Sequence, residues 1–157
     1  MKKTYIYFVT ALVLGLGFAT SAFATVGVGV GSGKITVNDQ LKPGTIYELP
    51  AIPVLNTGDE TANYAVSIEY NEVQPQMKPA REWFTFTPDK FTMDPGKSQV
   101  VRINVAIPVK VIPGEYFAYL EAHPVKADVA GVTSIGVAAA SKLYFTVAPA
   151  NFIEGIY

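Results

Sequence analysis

From Ser98 to Ile107 the chain alternates: Val101, Ile103, Val105 and Ile107 fall on one parity, Val100, Arg102, Asn104 and Ala106 on the other. This is the period of a β-strand with one buried face. Asp94-Pro95-Gly96-Lys97 and Ile112-Pro113-Gly114-Glu115 flank it, each with a proline that pre-sets φ and a glycine free to take φ > 0, the chemistry of turns. The same alternation predicts a strand over Asn63 to Asn71, with Tyr64, Val66, Ile68 and Tyr70 inward and Ala65, Ser67 and Glu69 outward. Gly136 to Val147 repeats it, setting Leu143, Phe145 and Val147 against Lys142, Tyr144 and Thr146. Between Glu115 and His123, Tyr116, Ala118 and Leu120 share one parity, and Phe117, Tyr119, Glu121 and His123 the other. Gly114-Glu115-Tyr116 stands where sandwiches place an inward tyrosine that ties a corner, so Tyr116 is predicted inside and Phe117 and Tyr119 outside.

Two stretches break parity. Val26, Val28 and Val30 lie on even positions but Ile35 and Val37 on odd, so side-chain direction must flip near Ser32-Gly33. Such a flip marks a bulge or a strand passing from one sheet to another, and a flexible glycine-rich leader is the alternative. Within Ile46 to Leu55 the apolar set shifts from Tyr47 and Leu49 to Ile52 and Val54, with Pro50 and Pro53 beside the shift. Proline breaks a ladder, so this strand is kinked or partly at an edge. Trp83 to Pro88 is strand-like, Asp89 to Met93 reads as a connection, Glu72 to Pro79 as a surface loop, and Lys126 to Ile135 as a turn rich in small residues. No segment after residue 24 has a helical period. The expectation is an all-β fold, a seven-stranded immunoglobulin-like antiparallel β-sandwich.

The first residues obey another rule. Lys2 and Lys3, an apolar run from Ile6 to Phe18, and Ala22-Phe23-Ala24 are the three parts of a secretory signal, with cleavage expected after Ala24. The run is shorter than the ~20 residues of a membrane span, so export is preferred to anchoring. The predicted organisation is a signal peptide over 1–24, a Gly/Val-rich leader or switching first strand over 25–33, the sandwich over 34–149, and a C-terminal extension over 150–157. Of 157 residues, 133 remain after cleavage, enough for one domain. Loss of the two lysines leaves ten basic side chains against thirteen acidic, a mature charge of −3 with no basic stripe, which argues against nucleic acid as a partner. There is no cysteine, so burial rather than disulfides must hold the exported domain.

Chemistry is scarce. With no cysteine and one histidine, Cys₄ and Cys₂His₂ zinc sites are excluded. Gly31-Ser32-Gly33-Lys34 misses the spacing of a phosphate loop, and Asn56-Thr57-Gly58-Asp59-Glu60 reads as a solvated turn without calcium-loop spacing. His123 shares a strand face with Glu121, yet no nucleophile context accompanies it, and the acids are too scattered for paired-carboxylate glycoside chemistry. No catalytic residue, metal or cofactor is expected.

Phe86-Thr87-Pro88, Phe91, Met93, Pro95-Gly96, Val101-Arg102-Ile103 and Pro113-Gly114-Glu115-Tyr116, with Ser141 to Pro149 as a last strand, resemble the PapD-like branch of immunoglobulin folds over most of residues 34 to 149. That branch includes the N-terminal domain of periplasmic pilus chaperones; secreted WxL-interacting surface domains are looser relatives. The chaperone resemblance implies a periplasmic protein that donates its last strand to a subunit and holds the subunit's C-terminal carboxylate with two basic residues. Lys142 matches the one on the last strand, and Lys34 is the nearest candidate for the one on the first. It also implies a second domain after Tyr157, whereas a membrane span there would indicate a surface protein.

For partner binding, Phe117, Tyr119, Lys142 and Tyr144 should cluster on an outer face rimmed by Glu69 and Glu121, because the third, sixth and seventh strands of such a sandwich share a sheet. Exposed aromatics with a charged rim suit a protein or glycan contact, while cross-strand aromatic pairs can also serve only the sheet. The expected role is non-catalytic binding at the cell envelope, in adhesion or surface assembly, with a surface or pilus subunit as partner. The alternative is a pilus-type chaperone acting by strand donation, in which Leu143, Phe145 and Val147 would be inserted if the last strand lies at an edge.

Overall fold

The computed structural model describes residues 24–125 and 136–150. The expected signal peptide up to residue 23, the expected small-residue turn from Lys126 to Ile135 and residues 151–157 of the expected C-terminal extension lie outside the described residues. Nine strands follow in chain order: β1 (Gly29–Val30), β2 (Lys34–Leu41), β3 (Ile46–Leu55), β4 (Ala62–Glu69), β5 (Phe84–Thr87), β6 (Lys90–Met93), β7 (Ser98–Ala106), β8 (Gly114–Pro124) and β9 (Ala139–Val147). A four-stranded sheet runs β1-β3-β7-β5 and a five-stranded sheet β2-β9-β8-β4-β6. The protein is an all-β immunoglobulin-like sandwich. Every strand pair is antiparallel except β2 with β9, which is parallel.

Nine strands replace the expected seven because two segments serve both sheets. β1 joins the four-stranded sheet and β2 the five-stranded one, with side-chain direction changing between them at Ser32-Gly33. A side chain at Gly31 would collide with the Pro53 ring, so glycine permits the close approach of β1 to β3. The stretch expected to be one strand followed by a connection divides in the same way. β5 pairs with β7, the chain turns at Thr87-Pro88, whose peptide is cis, and β6 pairs with β4 across the sandwich.

The alternation read from the sequence fills the space between the sheets. Val101, Ile103 and Val105 are each fully buried, as are Tyr64, Leu120 and Leu143. In β3 the register shifts between Leu49 and Ile52, so Pro50 falls in the irregularity while Leu49, Ile52 and Val54 all reach the core. Among the described residues β1 and the Gly31 N–H cover β3 from Pro53 to Leu55, which leaves the start of β3 as an edge. Tyr116 lies inward, stacks on Phe145 with ring centroids 5.4 Å apart, and donates its hydroxyl to the Ile112 carbonyl at 2.6 Å. It ties the corner where β8 begins.

One expectation fails at the opposite end. Asn56 is not solvated but fully buried. Its Nδ2 donates to the carbonyls of Glu60 and Met93, its Oδ1 accepts from Gly58 N–H, and its backbone pairs with Lys97 and Gly96. A single side chain thus ties backbone groups of its own turn to the end of β6. The buried Ser141 hydroxyl, by contrast, has no hydrogen-bond partner among the described residues. Replacing Asn56 with alanine is expected to destabilise the domain by about 2–3 kcal/mol, the cost of leaving buried groups unpaired. Urea unfolding checks this, and a loss below ~0.5 kcal/mol would show that water replaces the side chain.

Candidate partner-binding face

The outer face of the five-stranded sheet is assembled by register. In the parallel pair Lys34 stands beside Lys142 and Thr36 beside Tyr144. In the antiparallel pair Tyr119 faces Lys142 and Phe117 faces Tyr144. Glu69 follows on β4 opposite Tyr119, and Glu121 lies opposite Ser67. The four residues singled out from the sequence are therefore neighbours, joined by Lys34. Lys142 and Lys34 are exposed, and Tyr119 and Tyr144 half-buried. The Lys34 ammonium also lies 5.1 Å from the centre of the Tyr144 ring, within cation–π range. Like charges on adjacent strands repel, so this pair favours a state in which an anion lies between them.

Phe117 corrects the expectation of an exposed aromatic. It points outward, yet it is only 3% exposed. Tyr119 packs edge-on at 5.0 Å between ring centroids and Tyr144 tilts over it at 4.7 Å. Where β4 ends, the segment around Met77 takes its place beside β8: Met77 N–H donates to the Glu115 carbonyl and Phe117 N–H to the Met77 carbonyl, each at 3.0 Å. Gln74 Nε2 adds a bond to the Phe117 carbonyl at 2.9 Å. Phe117 is thus the foundation of the face, and only the tyrosines and lysines over it are available to a partner.

β9 is not at an edge. It lies between β2 and β8, and Leu143, Phe145 and Val147 are buried in this domain's own core, which removes them as inserted residues. The edge beside the lysines is β2.

Sequence reasoning missed Arg81. It forms two hydrogen bonds of 3.1 Å to the Glu69 carboxylate, and its guanidinium lies 5.2 Å from the Tyr70 ring centre. Tyr70 in turn donates to the Pro79 carbonyl. The clasp fastens the 70–83 connection to the rim of the face. No local spacing announces a pair separated by a loop. The hydrogen bonds from Arg81 hold the Glu69 carboxyl below its ordinary range, against a smaller opposing effect of desolvation. At the other end of the rim, His123 Nδ1 is 3.8 Å from Glu121 Oε1, too far for a hydrogen bond. Among the described residues no group of three His, Asp or Glu side chains could hold a metal ion.

No protein-family model matches the chain, and no curated protein is similar to it. Solved structures are. The Escherichia coli chaperone DraB is 18% identical with a TM-score of 0.52, over 78% of this chain and 55% of its own. The PapD-like domain 7 of human CEP192 is 13% identical with a TM-score of 0.55, over 87% of this chain and 97% of its own. The structure of the Salmonella enterica SafA pilin in complex with the SafB chaperone gives 16% identity and a TM-score of 0.52, over 80% of this chain and 57% of the matched one. The chain spans about half the length of these bacterial matches. The fold is that of a PapD-like immunoglobulin-type domain.

Two predictions concern the face. Phe117→Ala is expected to cost about 3–5 kcal/mol in urea unfolding, as for a core aromatic, whereas an exposed ring would cost under ~0.5 kcal/mol. Because the folded-state pKa of Glu69 is lowered, its contribution is present above the unfolded carboxyl pKa of about 4.3 and is lost as pH falls through the folded value. Arg81→Ala should therefore reduce stability at pH 7, by at most ~1 kcal/mol because both groups are solvent-exposed, and by almost nothing at pH 2. An equal loss at both pH values would contradict the ion-pair account.

Proposed function

We propose that this chain is the binding domain of an exported, chaperone-like protein that holds an extended protein partner along β2, with Lys34 and Lys142 gripping the partner's C-terminal carboxylate. The observation that carries this reading is the register that sets these two lysines side by side, one from each of the strands on which the chaperone resemblance expects a basic residue. A carboxylate between two ammonium groups gains charge-assisted hydrogen bonds from both and relieves their mutual repulsion. The free backbone of edge strand β2 offers a main-chain ladder to an incoming strand, and Thr36 and Tyr144 lie beside it for side-chain contact. Strand addition at β2 replaces donation of β9, whose apolar side chains are committed to the core.

The likeness to DraB and to SafB, a chaperone solved with a pilin, supports a partner of the pilus-subunit kind. The leader supports export. No helix among the described residues is long and apolar enough to cross a membrane. The domain acts by binding, without chemistry of its own. A second reading, surface assembly at the cell envelope through Tyr119 and Tyr144, is favoured by the half-exposed tyrosines.

Titration calorimetry at low salt separates the two, using a short strand-forming peptide of alternating apolar residues made with a free or an amidated C-terminus. Amidation, Lys34→Ala and Lys142→Ala should each weaken binding by about 10–100-fold, the range for hydrogen bonds to a charged group. Amide and acid forms binding equally would remove the carboxylate grip and leave the tyrosine surface as the better account.

A further inference from the structure

The start of the described chain carries a contact that the binding face does not use. Thr25 N–H donates to Asp59 Oδ1 at 2.6 Å, and Asp59 N–H donates back to the Thr25 carbonyl at 3.0 Å. Around this reciprocal pair the two segments meet with no room for side chains. A Cβ on Gly58 would strike the Thr25 carbonyl, and one on Gly27 would strike Thr57. Tyr64 fixes the incoming segment with a hydroxyl bond of 2.8 Å to the Gly27 carbonyl. Buried Asn56 fixes the receiving turn by accepting from Gly58 N–H at 2.9 Å. The backbone on both sides of the pair is therefore held in place, and the solvent-exposed Asp59 carboxylate accepts from the nitrogen of Thr25.

That nitrogen is also the atom that the Ala22-Phe23-Ala24 motif would leave at the head of the exported chain. Ala24 and Thr25 are both exposed, so the bond between them is open to solvent. We propose that Asp59 is the receptor for the α-ammonium that processing creates on Thr25. Hydrolysis of the Ala24–Thr25 peptide consumes one water, leaves a carboxylate on Ala24 and an ammonium on Thr25, and turns a neutral donor to Asp59 into a cationic one. A charge-assisted hydrogen bond is roughly twice as strong as a neutral one, and at 2.6 Å the two atoms are already in contact. The mature chain is thereby latched at its first residue to the 56–60 turn. β1, which has only two residues paired with β3, gains an anchor just ahead of the switch that delivers Lys34 to β9. This inference depends on export and cleavage, and is independent of what the lysine face binds.

The test uses two forms that differ only at the start: processed protein beginning at Thr25, and an extended protein retaining Ala22 to Ala24 behind an initiator methionine, both ending at Tyr157. Asp59→Asn is made in each, and thermal unfolding is followed at low salt. The substitution should lower the Tm of the processed form by about 3 °C and that of the extended form by less than about 1 °C. Chemical acetylation of the Thr25 amine, which leaves Asp59 in place, should reproduce the larger shift and should add nothing to Asp59→Asn. Equal shifts in the two forms, an acetylated protein as stable as the free amine, or N-terminal sequencing that puts the mature start at another residue would each overturn the proposal.

Discussion

A single strand path that changes sheets sets the rest of this structure. Side chains alternate with a period of two along a strand, so a chain that keeps its apolar residues inward while crossing from one layer to the other must reverse its parity. Ser32-Gly33 makes that reversal: Val28 and Val30 pack from the four-stranded side, and Ile35 and Leu41 from the five-stranded side. The crossing sends β2 along β9 in parallel, beginning where Lys142 N–H donates to the Gly33 carbonyl at 2.9 Å and ending where Ala148 N–H donates to Leu41. Lys34 reaches Lys142 only by this route. The proposed binding face is thus a consequence of the crossing rather than of any local motif.

A second crossing at Thr87-Pro88 balances the first on the opposite flank. Proline at this point cannot donate to a ladder, so the chain leaves β7 and resumes pairing on β4, with Asp89 accepting from Val66 N–H at the corner. Where β5 and β8 begin, away from that corner, aromatic contacts fill the core: Trp83 against Tyr116, Tyr116 on Phe145, and Phe145 edge-on to Phe84. The β1–β2 crossing stands at one edge of the sandwich and this one at the other, so each sheet is bounded by a short strand or by one already committed to the second layer.

The inward faces were legible because two-residue periodicity is a local signal. Val101, Ile103, Val105, Tyr64, Leu143 and Phe145 could all be read from neighbours within ten residues. What decides Phe117 is not local. Its parity is outward, as read, but Tyr144 and the Met77 segment close over it from elsewhere in the chain. Asn56 misled for the same reason, since its burial depends on Met93 and Lys97 arriving over a turn that is polar by composition. β6 escaped notice because Lys90–Met93 sits between two turns and its partner β4 lies far back in the chain. The Arg81–Glu69 clasp and the parallel register of β2 join residues that no spacing rule connects; for the lysines, the resemblance to pilus chaperones supplied what periodicity could not.

The absence of cysteine allows the parallel register to be tested cleanly. Adjacent strands lie ~4.8 Å apart, inside the Cα separation of about 4.4–6.8 Å that a disulfide accepts. The double substitution Lys34→Cys with Lys142→Cys should therefore oxidise to one intramolecular disulfide in the folded protein, while Lys34→Cys paired with Thr146→Cys, offset along the strand, should not. A chain that closes the offset pair as readily, or leaves both pairs reduced, would contradict the crossing on which the proposed binding face rests.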